Sequence, residues 1–116
     1  MKYYSEEETK DLRLAFEDII LDWEKVTKKK MFGCPCYKAD EKLFTFLVTK
    51  GVVITKLYEK EREAIADQFQ TSPFQAGQKI VYNWIRIPIE NKSDIDKIIP
   101  FVKKSYEKAM QEAKDS

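Results

Sequence analysis

Near residue 31 the spacing of apolar residues changes from every third or fourth position to every second, and past residue 58 it changes back. A chain with that switch has to build both helices and a sheet and bury one against the other. Upstream of the switch, Ser5 followed by Glu8 is a capping box. Leu12, Phe16, Ile19, Ile20, Trp23 and Val26 then draw one apolar stripe on a helix. Acids crowd the start of that stripe and Lys28, Lys29 and Lys30 crowd its end, as the helix dipole favours. The lysine run is therefore expected to close the first helix rather than to form a nucleic-acid patch.

Downstream, alternation predicts strands over 31–37, 43–49 and 52–56. Ala39-Asp40-Glu41 and Lys50-Gly51 supply short turns, which imply antiparallel hairpins. A charged helix over 59–70 carries Ile65 and Phe69 one turn apart. The stretch 71–78, with Ser-Pro and Ala-Gly, reads as mostly loop, and 80–89 as the longest strand. Ser93 with Asp96 is expected to cap a last helix striped by Ile95, Ile98, Ile99, Val102, Tyr106, Ala109 and Met110. Pro100 should kink or restart it. The fold class is α+β: helix, three antiparallel strands, helix, one or two further strands and a C-terminal helix, in one domain over 1–116.

Side-chain alternation also assigns faces. Ile85, Ile87 and Ile89 are expected to lie under Phe16, Ile19, Trp23, Ile98 and Val102, with Tyr82, Trp84 and Arg86 opposite. In the strand 43–49, Phe44, Phe46 and Val48 are expected to point inward and Leu43, Thr45, Leu47 and Thr49 outward. Val53 and Thr55 join the outward set.

Chemistry is sparse. Lys and Arg total 21 against 20 Asp and Glu, so the net charge of +1 gives no field that selects nucleic acid or acidic lipid. The chain has no histidine, which removes the commonest general base and every Ser/His or Cys/His arrangement. Cys34 and Cys36 flank Pro35. A tetrahedral metal site needs more ligands than these two supply, so they are expected to bind no metal within one chain and to stay reduced. Packed thiols, a redox-sensitive pair and a metal shared across a dimer remain the readings. No cofactor is implied. The opening MKYYSEEETK lacks the apolar core of a signal peptide, and no run approaches a membrane span. A cytoplasmic protein with no membrane contact is expected.

Met31-Phe32-Gly33, Leu43-Phe44, the Lys56-Leu57-Tyr58-Glu59-Lys60-Glu61-Arg62 run, Pro73-Phe74, Gly77 and Tyr82-Asn83-Trp84 occur in an order that resembles the N-terminal domain of TfoX/Sxy proteins. The resemblance spans roughly 12–106. Cys34-Pro35-Cys36 stands where a second glycine is common, Ile80-Val81 where a methionine is expected, and Tyr58 in place of a proline. The resemblance implies an α+β fold and a small non-enzymatic domain with no catalytic residues. In full-length relatives this domain sits beside a C-terminal domain and takes part in regulating natural competence. The sequence holds no counterpart of that second domain, so competence is not carried over.

Two functional readings follow. One is a binding or regulatory domain whose outward sheet face, with Leu43, Leu47, Val53, Tyr82, Trp84 and Arg86, is too apolar for free solvent and meets a protein partner or a second copy. Its alternative is that the second helix and 71–78 close that face as a small core. The other is a nucleic-acid-binding accessory protein. The stretch 68–89 has no acidic residue, and Phe74, Lys79, Trp84 and Arg86 are the residue types that stack on and clamp single strands.

Overall fold

Ser5 Oγ accepts a hydrogen bond from the Glu8 amide, so α1 (Glu6–Ile20) starts where its capping residue puts it. The computed structural model describes residues 3–116; Met1 and Lys2, which open the stretch read for a targeting signal, lie outside the described residues. After α1 come β1 (Val26–Met31), β2 (Cys34–Ala39), β3 (Lys42–Val48), β4 (Gly51–Ile54), α2 (Glu59–Gln68), β5 (Ser72–Ala76), β6 (Lys79–Pro88) and α3 (Lys92–Asp115). The strands form one six-stranded antiparallel sheet in the order β1-β2-β3-β4-β6-β5. The α+β class read from the sequence holds.

Helix α1 stops well short of the lysines. The chain turns at Lys25, whose φ is 63°, and Val26 to Met31 pair with β2. Lys28, Lys29 and Lys30 therefore belong to an edge strand, not to a helix end. Charged side chains there oppose edge-to-edge association, so their role is that of an edge guard. The strand expected over 31–37 is the second half of a hairpin. Phe32 and Gly33, with φ of 53° and 77°, make the two-residue turn between the paired Met31 and Cys34. Both central residues left-handed is the turn geometry that matches strand twist. Asp40 and Glu41 (φ 49° and 72°) do the same between Ala39 and Lys42.

Two irregularities shape the sheet. Tyr37 pairs with Thr45 but Lys38 pairs with Leu43, so Phe44 is an extra residue bulged out of β3. A bulge resets the side-chain alternation. Phe44 turns toward the helices, where its ring lies 5.6 Å from Tyr106 and 6.3 Å from Trp23. The expected alternation of β3 is accordingly wrong: Thr45 and Leu47 face the helices, and Phe46 faces away. The second irregularity is in β6. Pro73 pairs with Ile85 while Phe74 pairs with Val81, leaving residues 82–84 without partners on β5. The segment 71–78 is therefore mostly strand rather than loop, in a hairpin that bends at 82–84.

The last helix is capped by Asn91, whose side chain accepts from the Asp94 amide, two residues earlier than the expected Ser93. Helix α3 continues through Pro100 without a restart. Pro100 is exposed, so the carbonyl it leaves unpaired one turn back is open to water. Tyr58 meets Lys108 at one end of α2 and Phe69 meets Phe101 at the other, so α2 runs antiparallel along α3.

Directly opposed residues of antiparallel strands share a face. One row crosses the sheet as Lys28, Tyr37, Thr45, Ile54, Ile85 and Pro73. This is the helix face: Phe16 of α1 packs edge-on against Tyr37 at 5.7 Å. Leu47, Val52 and Ile89 meet Leu12, Phe16 and Ile95 on it. Ile87 and Ile89 are buried there, as the alternation of β6 predicts. Ser105 of α3 donates to the Phe44 carbonyl and accepts from the Lys56 amide, tying the helix to the end of the β3–β4 pair.

Candidate functional site

The neighbouring row of the same register is Lys29, Cys36, Phe46, Val53, Arg86 and Ser72, and it faces away from the helices. Its middle is apolar and fully buried. Strands lie about 4.8 Å apart, so β5 in a flat sheet would stand roughly 14 Å from β3. Yet the Phe74 ring of β5 sits 5.1 Å from Phe46, at right angles to it. The bend at 82–84 makes this contact by curling the β5–β6 hairpin over the sheet. Trp84, at the bend, packs 5.4 Å from Phe46 and 6.0 Å from Phe74. The N-terminal arm completes the cover. Thr49 pins it, donating its amide to the Tyr3 carbonyl and accepting the Ser5 amide at its hydroxyl. The Tyr3 ring bridges Phe74 and Phe32 at 5.9 and 6.3 Å.

This geometry separates the residues that the sequence groups as one contact surface. Leu47, 2% exposed, lies on the helix face, so the reset at Phe44 removes it from the group. Val53 is on the expected face but fully sealed beneath the hairpin. Leu43, Trp84 and Arg86 are half-buried. Tyr82 alone stands free, 72% exposed. Of the covers expected for this face, the segment around Phe74 supplies most; α2 lies against α3 instead. Among the residues expected to meet nucleic acid, Lys79 is exposed, but Phe74 is 3% exposed and occupied by Phe46 and Trp84.

Beside the hairpin an open cavity of about 490 Å³ is lined by Tyr3, Thr49, Ser72, Phe74, Ile80 and Arg86, among others. Tyr3 and Thr49 carried no local signal for this role, since only the fold brings the arm to β5. Ser72 was masked by the Ser-Pro pair, which reads as a turn.

A polar cluster joins α1 to the first hairpin on the other side of the molecule. Glu17 accepts from the Tyr37 hydroxyl and pairs with Arg13 and Lys28, both at 2.7 Å. Arg13 also reaches Glu6 at 2.8 Å. The Arg13 guanidinium, with the Tyr4 hydroxyl, holds the Glu6 carboxyl down at about 2, while burial and Glu17 push the Tyr37 phenol upward. Every charge in this cluster is matched, as befits a structural tie. Cys34 and Cys36 lie on the Phe46 side of the first hairpin and are buried and free. Burial pushes the Cys34 thiol up to about 11 and raises Cys36 as well. Neither is activated as a nucleophile. Among the described residues no three acidic, cysteine or histidine side chains gather as a metal site, and no helix is long and apolar enough to cross a membrane.

No curated protein and no solved structure matches the chain. A family model for the TfoX N-terminal domain matches residues 18–109, from the second half of α1 to the penultimate turns of α3. That span holds the whole sheet, both irregular strands and the hairpin cover, and the chain belongs to the TfoX N-terminal domain family.

Proposed function

We propose that this chain is a small regulatory binding domain of the cytoplasm, without catalysis of its own, and that the outer side of the β5–β6 hairpin is its contact surface. The family is generally not enzymatic. The observation that carries the contact surface is Tyr82. It is 72% exposed while its aromatic neighbours Phe74 and Trp84 are turned onto Phe46. No acid occurs from 68 to 89. An exposed tyrosine is a residue type that dominates binding energy at protein interfaces. The occupant is a protein partner or a second copy of the chain. The inward turn of Phe74 speaks against the nucleic-acid reading, because it takes away the stacking platform that reading needs.

The test uses the full chain as immobilised bait in an extract of its own cells, with sedimentation velocity in parallel. A defined protein, or a dimer, is expected with the wild type and lost with Tyr82→Ser at unchanged melting temperature. Identical captures and monomeric sedimentation for both proteins would overturn the proposal. A gel shift with single-stranded DNA or RNA that falls with salt and with Lys79→Gln would transfer the surface to nucleic acid.

A further inference from the structure

Arg86 differs from the other arginines of the chain. Arg13 forks onto Glu6 and reaches Glu17, and Arg62 donates to the Leu57 carbonyl at 2.6 Å. Among the described residues the Arg86 side chain makes no ion pair and no hydrogen bond to protein. It is half-buried nonetheless, in the row where Val53 and Ser72 are its cross-strand neighbours. A guanidinium keeps its charge at every physiological pH, and its planar fork is built to hold two oxygens of one oxyanion.

The cavity beside it has the complementary make-up. Among the described residues Arg86 is the one charged residue in its lining, and no carboxylate stands there to neutralise it. Ser72, directly opposite Arg86, offers a hydroxyl with no hydrogen-bond partner among the described residues. Thr49 is committed to the Tyr3 carbonyl and the Ser5 amide, so it fixes the wall. Tyr3 and Ile80 supply aromatic and aliphatic surface, with the buried Phe74 behind them. At about 490 Å³ the space falls in the range of small-ligand pockets, about 300–1,000 Å³. The other basic cleft, lined by Arg13, Lys28, Lys29 and Lys30, differs because a carboxylate, Glu6, stands in its lining, Glu6 and Glu17 pair with Arg13 and Lys28, and Lys29 and Lys30 are exposed.

We propose that the cavity at Arg86 binds a small ligand that carries one oxyanion, a carboxylate or a phosphate, on a flat apolar body. Arg86 and Ser72 take the oxyanion, and Tyr3 and Ile80 take the body. The site stands whether or not Tyr82 meets a partner, since Tyr82 is not among its lining residues and it needs no second macromolecule.

Amide NMR titration of the full chain with phenyl phosphate, benzoate, inorganic phosphate and uncharged benzamide tests it. Saturable shifts at Thr49, Ser72 and Arg86 are expected with phenyl phosphate or benzoate. Weaker ones are expected with inorganic phosphate and none with benzamide. The stronger of the two aromatic anions identifies the head group. Arg86→Gln should weaken binding by at least about tenfold, or about 1.4 kcal/mol. Arg86→Lys, which keeps the charge and loses the fork, should weaken it less. Three results would overturn the site: no saturable shift at millimolar probe, shifts centred on Lys28 to Lys30, or equal affinity for wild type and a folded Arg86→Gln. If Arg86→Gln does not fold, the shift map and Arg86→Lys decide. A failure here leaves Tyr82-dependent capture untouched, so the two proposals fail separately.

Discussion

The two faces of the sheet are closed by different means. On the helix face, α1 and α3 lay apolar stripes over Tyr37, Ile54, Leu47 and Ile87, and the polar groups caught between the layers are paired internally. Ser105 and Thr45 both donate to strand carbonyls. On the other face no helix is needed. A hairpin bent at three unpaired residues and an arm pinned by Thr49 fold aromatic rings onto Phe46. The difference teaches how a chain of 116 residues can keep a surface for binding. Helical layers leave little that is not core, whereas a curled hairpin buries one side of itself and presents the other, with Tyr82 outside and Phe74 inside.

If the hairpin cover is a true second core, its central residue is as costly to truncate as any on the helix face. Phe46 is fully buried between Phe74 and Trp84. Phe46→Ala is expected to lose about 3–5 kcal/mol in urea denaturation, with a changed Trp84 emission. A loss well below that would mean that the hairpin is a loose flap and would break the comparison.

On the helix face the matching test is Ile87→Ala, expected to cost about 2–5 kcal/mol. Ile87 is buried opposite Val52, beneath the helices. An unchanged denaturation midpoint would reverse the face assignment of β6 and, with it, the position of Arg86.

Helix ends sharpen the picture at smaller scale. Asn91→Ala removes the side chain that caps α3 and should cost about 1 kcal/mol. Ser93→Ala, at the position the sequence favoured, should cost less, since Ser93 donates only to Asn91. Equal losses at the two positions would show that the cap is shared.

Acid should act on the helix face first. Glu6 and Glu112 have folded-state carboxyls held below their ordinary values by Arg13 and Lys56, respectively. A depressed carboxyl contributes stability that is present above its unfolded value and lost as pH falls through the folded one. Stability should therefore fall from about pH 4.5 toward about 2, the interval between the ordinary and the folded-state value of Glu6, and Arg13→Gln should flatten that decline. An unchanged acid profile in the variant would show that the Glu6–Arg13 pair is too solvated to matter.

The same contrast explains what was legible in the sequence. Stripes and alternation are local, so α1's start, the isoleucine face of β6 and the α+β class could be read from spacing alone. Three features needed the fold. The lysine run is strand because β2 pairs with it, a tertiary contact that outweighs a sequence equally suited to a helix end. Leu47 changes sides because one extra residue at Phe44 resets the alternation of β3, and nothing in Leu43-Phe44-Thr45 announces a bulge. Val53 and Phe74 are sealed because a bend at 82–84 brings strands together that are far apart in the sheet. The candidate surface was thus legible as an apolar face, with closure by 71–78 as one of two readings that spacing alone did not decide. Its exposed remnant, Tyr82, and the Arg86 cavity appear only once the cover is placed.

The smallest expected effect is the most telling for that remnant. Tyr82 is 72% exposed and takes part in none of the aromatic contacts that hold the hairpin. Substitutions at such positions change stability by no more than about 0.5 kcal/mol. Tyr82→Ser should therefore leave the urea midpoint within that margin, while Phe74→Ala, on the inner side of the same hairpin, should shift it by several times as much. Tryptophan quenching separates the two sides further. Trp84 is packed edge-on against Phe46, so acrylamide should reach it poorly in wild type and in Tyr82→Ser but freely in Phe74→Ala. A large loss of stability in Tyr82→Ser would make that tyrosine part of the cover. The hairpin would then have no free side, and the distinction between a face that only stabilises and one that also presents a surface would disappear.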